Sequence, residues 1–414
     1  MPISIALKNT FRSLKHPNFR LFFGGQSFSL IGTWIQRIAL PWLVYDLTKS
    51  VLLLGIVGFV GQIPTFLLAP YAGVVADRWN KYHILLVTQV LSMMQAGLLA
   101  ALVLTNTINV WSIILLSIVL GCINAFDTPA RQSFLIDMVE DKKDLGNAIA
   151  LNSSMFNGAR LIGPSIAGIL IAKAGEGICF LINAISYCFV LGSLLLMKVT
   201  PKIKIQEKMS VLKDFKEGLA YSLGIAPIKF TLLLLTIIGL SGMPYTVLMP
   251  VFSREILHGG AHTFGFLMGA AGLGALFSAL FLATKNTFNG IEKYIGFASG
   301  IFGTALILFS FSRSFFLSIF LMAVVGFSMV FLTASCNTLL QTVSDDGKRG
   351  RVMSLYTMAF MGTAPFGSLL AGSLAKVVGV PYTFLIEGFC CIVGGLIFFS
   401  RLPQISAAIR RNRL

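Results

Sequence analysis

ARLIGPSIAG at residues 159–168 recurs in altered form as TAPFGSLLAG at residues 363–372, which is 204 positions later. The same offset places Asn183 opposite Glu387. Small residues keep their places in the two copies, namely Gly163, Ala167 and Gly168 in the first and Gly367, Ala371 and Gly372 in the second. A repeat with so long a period indicates an ancient duplication, so the sequence predicts two homologous halves.

The composition of the chain requires a lipid environment. Apolar residues make up 56% of the 414 residues and charged residues 12%, and the mean hydropathy is +0.84. A spanning helix needs about 20 mainly apolar residues, and a β-barrel would instead show short segments of alternating polarity. The sequence therefore predicts an all-α polytopic membrane protein whose twelve spans are 20–46, 51–75, 83–105, 108–127, 145–172, 178–197, 228–253, 262–284, 293–312, 314–340, 350–377 and 381–400.

One long polar interruption separates the halves. Residues 199–226 are predicted to link a first six-helix half, 1–198, to a second one, 227–414. Apolar residues recur within the linker at helical spacing between charged ones, at Val211, Leu212, Phe215 and Leu219. This pattern is typical of an amphipathic helix that lies on the inner leaflet of a membrane.

Basic residues are distributed unevenly across the predicted topology. The net charge of +16 raises the possibility of nucleic-acid binding, but most of the 32 Lys and Arg fall in loops and tails on one side. The opposite side has only Lys49, Lys173, Arg254, Arg313 and Lys376. This is the positive-inside bias, which predicts that both termini lie in the cytoplasm and argues against nucleic acid as a partner. The first 19 residues show no cleavable signal pattern.

The loop after the second span carries a motif. GVVADRWNK at 73–81 resembles the loop signature of the major facilitator superfamily, in which a glycine is followed by an Asp-Arg pair and a basic residue. The resemblance implies a gating latch on the cytoplasmic side, in which Gly73 allows close packing and Asp77 meets a helix N-terminus. It further implies that Arg78 and Lys81 reach toward Asp127 at the inner end of span 4, with Arg131 one turn beyond. The other interpretation is that these are charges at a headgroup boundary.

The fifth span contains a second motif, GARLIGPSIAG at 158–168. It resembles the Gly-Pro signature of antiporter-type facilitators. The resemblance implies that Gly158, Gly163 and Gly168 serve helix packing and that Pro164 bends the helix, although small residues also serve ordinary packing.

Four further blocks resemble the siderophore (enterobactin-type) and macrolide exporter branch of that superfamily. They are WIQRIALPWLVYDLTKS (34–50), NAFDTPARQSF (124–134), NAIALNSSMFNGARLIGP (147–164) and GRVMSLYTMAF (350–360). The resemblance implies the major facilitator fold in two pseudo-symmetric halves, and export of a small amphipathic molecule by alternating access in a monomer, often coupled to protons. It also leaves open a lysophospholipid or other lipid flippase of the same fold.

Two arginines fall inside predicted spans. Arg37 and Arg160 each cost about 2.5 to 3.5 kcal/mol in hydrocarbon unless they meet water, a partner or a ligand. Their shared charge favours an anionic substrate such as a catecholate or carboxylate siderophore, while the alternative is a structural role. Further substrate-binding candidates are Trp34, Gln36, Asn157 and Tyr356.

Glu387 is the one acidic residue deep in a predicted span. An acid at such depth suits proton coupling, and we expect it to border the substrate cavity. A neutral glutamate in a packing contact is the alternative.

Other classes of protein lack the necessary residues. The four histidines lie in terminal or loop positions, which argues against an intramembrane enzyme. Glu255, His258 and His262 are interrupted by Gly259 and Gly260, so no metal site is expected. No GxxxxGK[ST] motif is present, so we expect an ion gradient rather than ATP as the energy source, and no cofactor.

Overall fold

The computed structural model describes residues 10–139, 141–198, 211–284 and 290–411, and its regular secondary structure in these ranges is helical. A short 3-10 helix, Arg12–Lys15, precedes the first long helix. The helices of the first half are α1 (Pro17–Thr48), α2 (Val51–Arg78), α3 (Lys81–Leu104), α4 (Val110–Asp137) and α5 (Lys142–Leu196). The later helices are α6 (Val211–Gly224), α7 (Ala226–Ile237), α8 (Tyr245–Val251), α9 (Ala261–Ala283), α10 (Ile291–Phe311), α11 (Phe315–Val343), α12 (Arg349–Phe360), α13 (Ala364–Val378), α14 (Val380–Ser400) and α15 (Leu402–Arg411).

The predicted spans all lie on these helices. Among the residues that the structure describes, 10 helical segments are long and apolar enough to cross a membrane. One of them, Lys143–Leu196, contains predicted spans 5 and 6. The first predicted span lies on α1, which is 32 residues long and contains Gln26, Gln36 and Arg37. The prediction of an all-α polytopic membrane protein is confirmed.

The break inside α5 is a single glycine. Gly175 has φ 79° and ψ 172° and separates the two spans that share this helix. Its counterpart at the repeat offset, Gly379, has φ 86° and ψ 159° and separates α13 from α14. This region of backbone space is accessible essentially to glycine alone, so the two halves make the same turn with the same residue type.

The repeated glycine motif also makes equivalent contacts in the two halves. A Cβ on Gly163 would lie 2.5 Å from the Trp34 Cβ, so α5 approaches α1 closely there. A Cβ on Gly367 would lie 2.4 Å from the Leu240 carbonyl oxygen, beside the π-helical turn Ile238–Gly242 that follows α7. In each half, therefore, the motif packs against the first span of its own half.

The chain divides into two compact units. The first unit comprises Met1–Leu43 with Ile63–Glu207, and the second comprises Val44–Gln62 with Lys208–Leu414. This partition differs from the boundaries expected from the sequence, because residues 44–62 belong with the second unit.

Close backbone contact explains this assignment of residues 44–62. A Cβ on Gly55 would lie 2.7 Å from the Ser368 carbonyl oxygen and 2.9 Å from the Gly372 Cα. The rings of Phe59 and Phe366 also meet edge to face, with centroids 5.8 Å apart. The helix α2 therefore packs closely against the small residues of the repeat on α13.

The linker is described only in its second part. Residues 199–210 lie outside the described residues, and α6 occupies the position of the predicted amphipathic helix. Its apolar side chains Phe215, Leu219 and Leu223 are 42%, 37% and 54% exposed. Arg351 donates to Glu217 at 2.8 Å and ties α6 to α12. The apolar side chains of α6 are thus partly exposed, while its charged residue Glu217 is bound to α12. This arrangement is expected of a helix that lies on a membrane surface.

We predict that Gly175→Ala lowers the stability of the protein, since a Cβ is strained in this backbone conformation. The expected loss is about 1–3 kcal/mol, measured as the midpoint of thermal unfolding in detergent. Gly192→Ala is the matched control, because Gly192 lies within helical α5 and a Cβ there would meet nothing within 4 Å. Equal behaviour of the two variants would refute the strain at Gly175.

Candidate functional site

The first unit brings an aromatic residue and two arginines together. Cζ of Arg37 lies 4.9 Å from the centroid of the Trp34 ring, and Cζ of Arg160 lies 6.0 Å from the same centroid. The ring of Phe156 meets Trp34 edge to face at 6.1 Å. Both guanidiniums are therefore within the range of cation–π attraction to one indole. We name Trp34, Arg37, Phe156 and Arg160 the arginine–tryptophan cluster.

The fold of α1 and α5 positions this cluster. Gly163 gives α5 room beside the Cβ of Trp34, and Arg160 lies almost one turn earlier on the same helix. Arg37 follows Trp34 by three residues on α1, so the two side chains share a face. Close packing at one glycine thus places the two charges beside one ring.

The two arginines of the cluster have no acidic partner among the residues that the structure describes. Within the described part of the first unit, Arg37 and Arg160 form no ion pair. A guanidinium can hold carboxylate or phosphate in a two-pronged fashion. The cluster therefore has the chemistry to bind an anion that also carries an apolar or aromatic part.

Gln36 lies in a different environment from its neighbours Trp34 and Arg37. Its side chain is 4% exposed, and its amide nitrogen donates to Gln95 Oε1 at 3.1 Å. Its amide oxygen accepts from Asn183 Nδ2 at 2.7 Å. Gln95 in turn donates to the Leu116 carbonyl oxygen. The sequence proposed Gln36 as a substrate ligand, whereas the structure engages both ends of its amide in a network that joins α1, α3, α4 and α5.

Asp127 forms a second buried polar group in the first unit. Its Oδ1 accepts from Gln89 Nε2 at 2.7 Å and from Thr88 Oγ1 at 3.0 Å. Its Oδ2 pairs with Arg131 at 3.0 Å. Sequence reasoning did not single out Thr88 or Gln89, although their position opposite the acid of a neighbouring span is the signal that could have found them.

The predicted inner latch has a different acidic partner from the one expected. Lys81 Nζ lies 2.9 Å from Asp137 Oδ2, so the acid that pairs with Lys81 is Asp137 rather than Asp127. Asp127 is occupied by Arg131, one turn later on the same helix. Arg78 is exposed, and the side chain of Asp77 lies outside the described residues. A Cβ on Gly73 would meet nothing within 4 Å, so no close packing is seen there.

The remaining predicted residues are dispersed. Asn157 is half-buried and donates to the Ser153 carbonyl oxygen of its own helix at 2.9 Å. Tyr356 belongs to the second unit, where its hydroxyl donates to the Thr333 carbonyl oxygen at 3.4 Å. Pro164 and Gly168 are buried in α5, but the structure brings no neighbour within 4 Å of a Cβ on Gly158.

Glu387 is buried in the second unit with a 5% exposed side chain. Neither of its carboxyl oxygens has a hydrogen-bond partner among the described residues. Its repeat counterpart Asn183, in contrast, is bonded to Gln36. An acid in this setting is costly to ionise, so its protonation can be expected to matter to the protein.

The segment 44–62 carries a polar contact that sequence reasoning missed. The hydroxyl of Tyr45 donates to Glu255, and Arg254 pairs with Asp46. Asp46 also pairs with Lys49 at 2.8 Å. His258 and His262 are exposed, and among the described residues no group of three potential metal ligands is found.

Long apolar helices and two repeated halves define a multi-pass membrane protein. The description "transmembrane secretion effector" belongs to the family that matches residues 8–413. The chain belongs to this family of the major facilitator superfamily, which confirms the resemblance found in the sequence. It is a transporter of small molecules and not an enzyme.

Relatives with assigned names are transporters as well. The chain is 30% identical to the staphyloferrin A transporter of Staphylococcus aureus over 92% of its own length and 95% of the relative's. It is 24% identical to the multidrug efflux pump Tap of Mycolicibacterium fortuitum, with coverage of 91% and 94%. It is 21% identical to macrolide efflux protein A of Streptococcus pyogenes, with coverage of 90% and 94%. These names give no support to the lipid flippase alternative.

Solved structures share the fold at low sequence identity. A POT family transporter in complex with a thioalcohol-conjugated peptide superposes with a TM-score of 0.74 at 13% identity, covering 94% of this chain and 96% of that one. A bacterial homologue of the human lysosomal transporter Spinster gives 0.69 at 12% identity, covering 95% and 98%. Both comparisons bear on the fold alone.

We predict that Gln36→Leu destabilises the protein. Leucine removes the hydrogen bonds that Gln36 makes with the buried amides of Gln95 and Asn183. Each buried group without a partner costs about 1–3 kcal/mol, which thermal unfolding in detergent measures. Gln62→Leu is the control, since Gln62 is exposed and its amide donates only to the Gly58 carbonyl oxygen of its own helix. A stability unchanged by Gln36→Leu would show that the network is not structural.

Proposed function

We propose that this protein exports a siderophore-like anion from the bacterial cytoplasm by alternating access. The observation that carries the proposal is the arginine–tryptophan cluster, in which two guanidiniums lie over one indole ring and have no acidic partner among the described residues. An arginine in a membrane span is retained at a cost of about 2.5 to 3.5 kcal/mol. Recognition of an anionic cargo is a function that offsets this cost for both arginines at once.

The relatives support this substrate class without deciding it. The staphyloferrin A transporter is named for a siderophore, Tap is named as a multidrug efflux pump, and the third relative is named as a macrolide efflux protein. Export of an amphipathic drug is the second candidate function. It is favoured by the aromatic surface of Trp34 and Phe156, and metabolite profiles of spent medium from a deletion strain under iron limitation would separate it from siderophore export.

Proton coupling at Glu387 is part of the proposal. The carboxyl is buried in the second unit and has no hydrogen-bond partner among the described residues. Ionised and protonated forms of such a group differ greatly in how well an apolar interior tolerates them. A carboxyl of this kind can therefore bias a conformational equilibrium as it gains and loses a proton.

The proposal also includes the gate, the topology and the assembly state. Gly73, Asp77, Arg78 and Lys81 would form the inner gate, with Asp137 as the acid that meets Lys81 at 2.9 Å. The bias of basic residues supports cytoplasmic termini and an inner-membrane location. An ion gradient is the proposed energy source, because the sequence contains no GxxxxGK[ST] nucleotide-binding motif. The proposed assembly state is a monomer.

We predict that Arg37→Gln and Arg160→Gln each reduce export by about tenfold, since each removes a charge-assisted contact to the anion. Arg37→Lys and Arg160→Lys should retain part of the activity, because lysine keeps the charge but lacks the fork. Secretion of the siderophore per unit of transporter in the membrane is the measurement. Arg410→Gln, a change at an exposed residue of α15, is the control, and equal loss in all variants would contradict a specific site.

We predict that Glu387→Gln abolishes acceleration of flux by a pH gradient while exchange without a gradient persists. The amide imitates a permanently protonated carboxyl and cannot release a proton. Flux into proteoliposomes at two pH gradients measures the effect, with Glu217→Gln in the exposed part of α6 as the matched substitution. Full gradient-driven flux in Glu387→Gln would contradict proton coupling at this residue and would favour the alternative of a packing contact.

A further inference from the structure

A groove on the first unit lies between α1 and the second span of α5, and we name it the α1–α5 groove. Its volume is about 430 Å³, and its lining includes Arg20, Leu21, Gly24, Phe28, Phe189, Gly192 and Leu196. The two helices touch at Gly25, where a Cβ would collide with Ser193. A Cβ on Gly24 or Gly192 would meet nothing within 4 Å, so these two glycines leave the space beside the contact open.

The two ends of the α1–α5 groove differ in chemistry. At one end, Asn18 donates to the Lys198 carbonyl oxygen at 2.9 Å and accepts from the Lys198 backbone N–H at 3.1 Å. These bonds join the start of α1 to the end of α5, and Arg20 lines the groove beside them. At the other end, the rings of Phe28 and Phe189 stack with centroids 5.1 Å apart. The groove therefore runs from a basic, polar end to an aromatic one.

The dimensions of the groove match one leaflet of a bilayer. From Arg20 to Phe28, α1 rises about 12 Å, and the hydrocarbon of one leaflet is about 15 Å deep, half the thickness of the apolar core. The side chains of Phe28, Phe189 and Leu196 are 58%, 52% and 70% exposed. In a membrane protein, exposed apolar side chains on a span face lipid chains, so the groove opens toward the acyl chains of one leaflet.

The positive charge at the basic end of the groove is not neutralised by the protein. Arg20 and Lys198 are exposed, and neither forms an ion pair within the ranges that the structure describes. The acid at the start of α5, Asp144, pairs instead with Arg12 at 3.2 Å and with Lys15 at 2.6 Å. Basic side chains near the end of a span lie at the level of the phosphate groups. An anion is therefore the complementary partner at this end.

We propose that the α1–α5 groove binds a membrane phospholipid with an anionic headgroup. One acyl chain lies along the glycines toward the stacked rings, and the phosphate group accepts hydrogen bonds from Arg20. This lipid is a resident ligand and not cargo, so the inference is independent of the substrate proposed above. Each basic residue close to an anionic headgroup strengthens binding about fivefold, so the site should distinguish headgroups and not only chains.

A groove in the second unit provides a comparison. It has a volume of about 560 Å³, lies between α10, α11 and α14, and has an uncharged lining that includes Gly300, Phe320 and Phe399. A Cβ on Gly300 would meet nothing within 4 Å. This groove can accept an acyl chain, but it offers no charged contact to a headgroup. Discrimination between headgroups is therefore expected of the α1–α5 groove and not of this one.

The test uses native mass spectrometry of the purified full-length chain with phosphatidylglycerol and phosphatidylcholine of identical acyl chains. The variants are Arg20→Gln, Arg20→Lys, and the groove-filling Gly24→Leu with the smaller Gly24→Val beside it. Arg401→Gln is the charge control, because Arg401 is exposed just after α14, lies over the Phe230 ring and lines neither groove. Gly300→Leu is the groove-filling control. Thermal unfolding in detergent shows that each variant is folded.

We expect the unsubstituted protein to bind phosphatidylglycerol about fivefold more tightly than phosphatidylcholine. Arg20→Gln should remove most of this preference, and Arg20→Lys should keep part of it, because lysine retains the charge but lacks the fork. Gly24→Leu should weaken the binding of phosphatidylglycerol by about tenfold, and Gly24→Val should weaken it less. Arg401→Gln and Gly300→Leu should leave the preference unchanged.

Three results would overturn the proposal. Equal affinity of the two lipids for the unsubstituted protein would exclude an anionic headgroup site. An equal loss of preference in Arg20→Gln and Arg401→Gln would show that diffuse charge attracts the lipid. Undiminished binding of phosphatidylglycerol by both Gly24 variants would show that the lipid lies outside the α1–α5 groove.

Discussion

Hydrocarbon offers no hydrogen bonds, so a polar side chain within a span must find its partner inside the protein. This constraint explains many of the side-chain hydrogen bonds in the first unit. The amides of Gln36, Gln95 and Asn183 satisfy one another across three helices. Many hydroxyls instead return to a carbonyl one turn back on their own helix, as Thr33 does to Ser29. Such bonds allow a chain with buried polar residues to fold in lipid without losing its helices.

The same constraint separates structural from functional polar groups. Gln36 and Asp127 are fully engaged, and their contacts join helices of one unit. Among the described residues, Arg37 and Arg160 lie over the Trp34 ring without an ion pair, and Glu387 meets no donor. An ionisable side chain without such a partner costs free energy inside a membrane span. Residues of this kind are therefore candidates for binding the substrate or the coupling ion. The arginines and the acid lie in different units, as a division between binding and coupling would require.

Hydropathy was sufficient to predict the helical spans, because each span is long and continuously apolar. The superfamily and the family branch were predicted from the resemblance of motifs such as GVVADRWNK at 73–81. The predicted pairing of Lys81 with Asp127 was wrong, since Asp137 occupies that position. The error has a physical cause: which residue of a neighbouring helix faces Lys81 depends on the rotation of that helix about its axis, and local spacing does not fix this rotation. Gln89, Thr88 and Gln95 were missed for the same reason. The assignment of residues 44–62 to the second unit likewise depends on close contacts such as Gly55 with Gly372, which are invisible in a single sequence. The roles of the predicted site residues stay predictions.

The left-handed glycines at 175 and 379 have a consequence for handling the molecule. Each joins two helices without an intervening loop, so a tag or a cleavage site inserted there would interrupt the helices. Labels, epitopes and cleavage sites for mapping the topology belong instead in connections that contain non-helical chain, such as residues 105–109 between α3 and α4. The duplication has therefore left two corresponding places where the conformation of one glycine, rather than a loop, joins two helices.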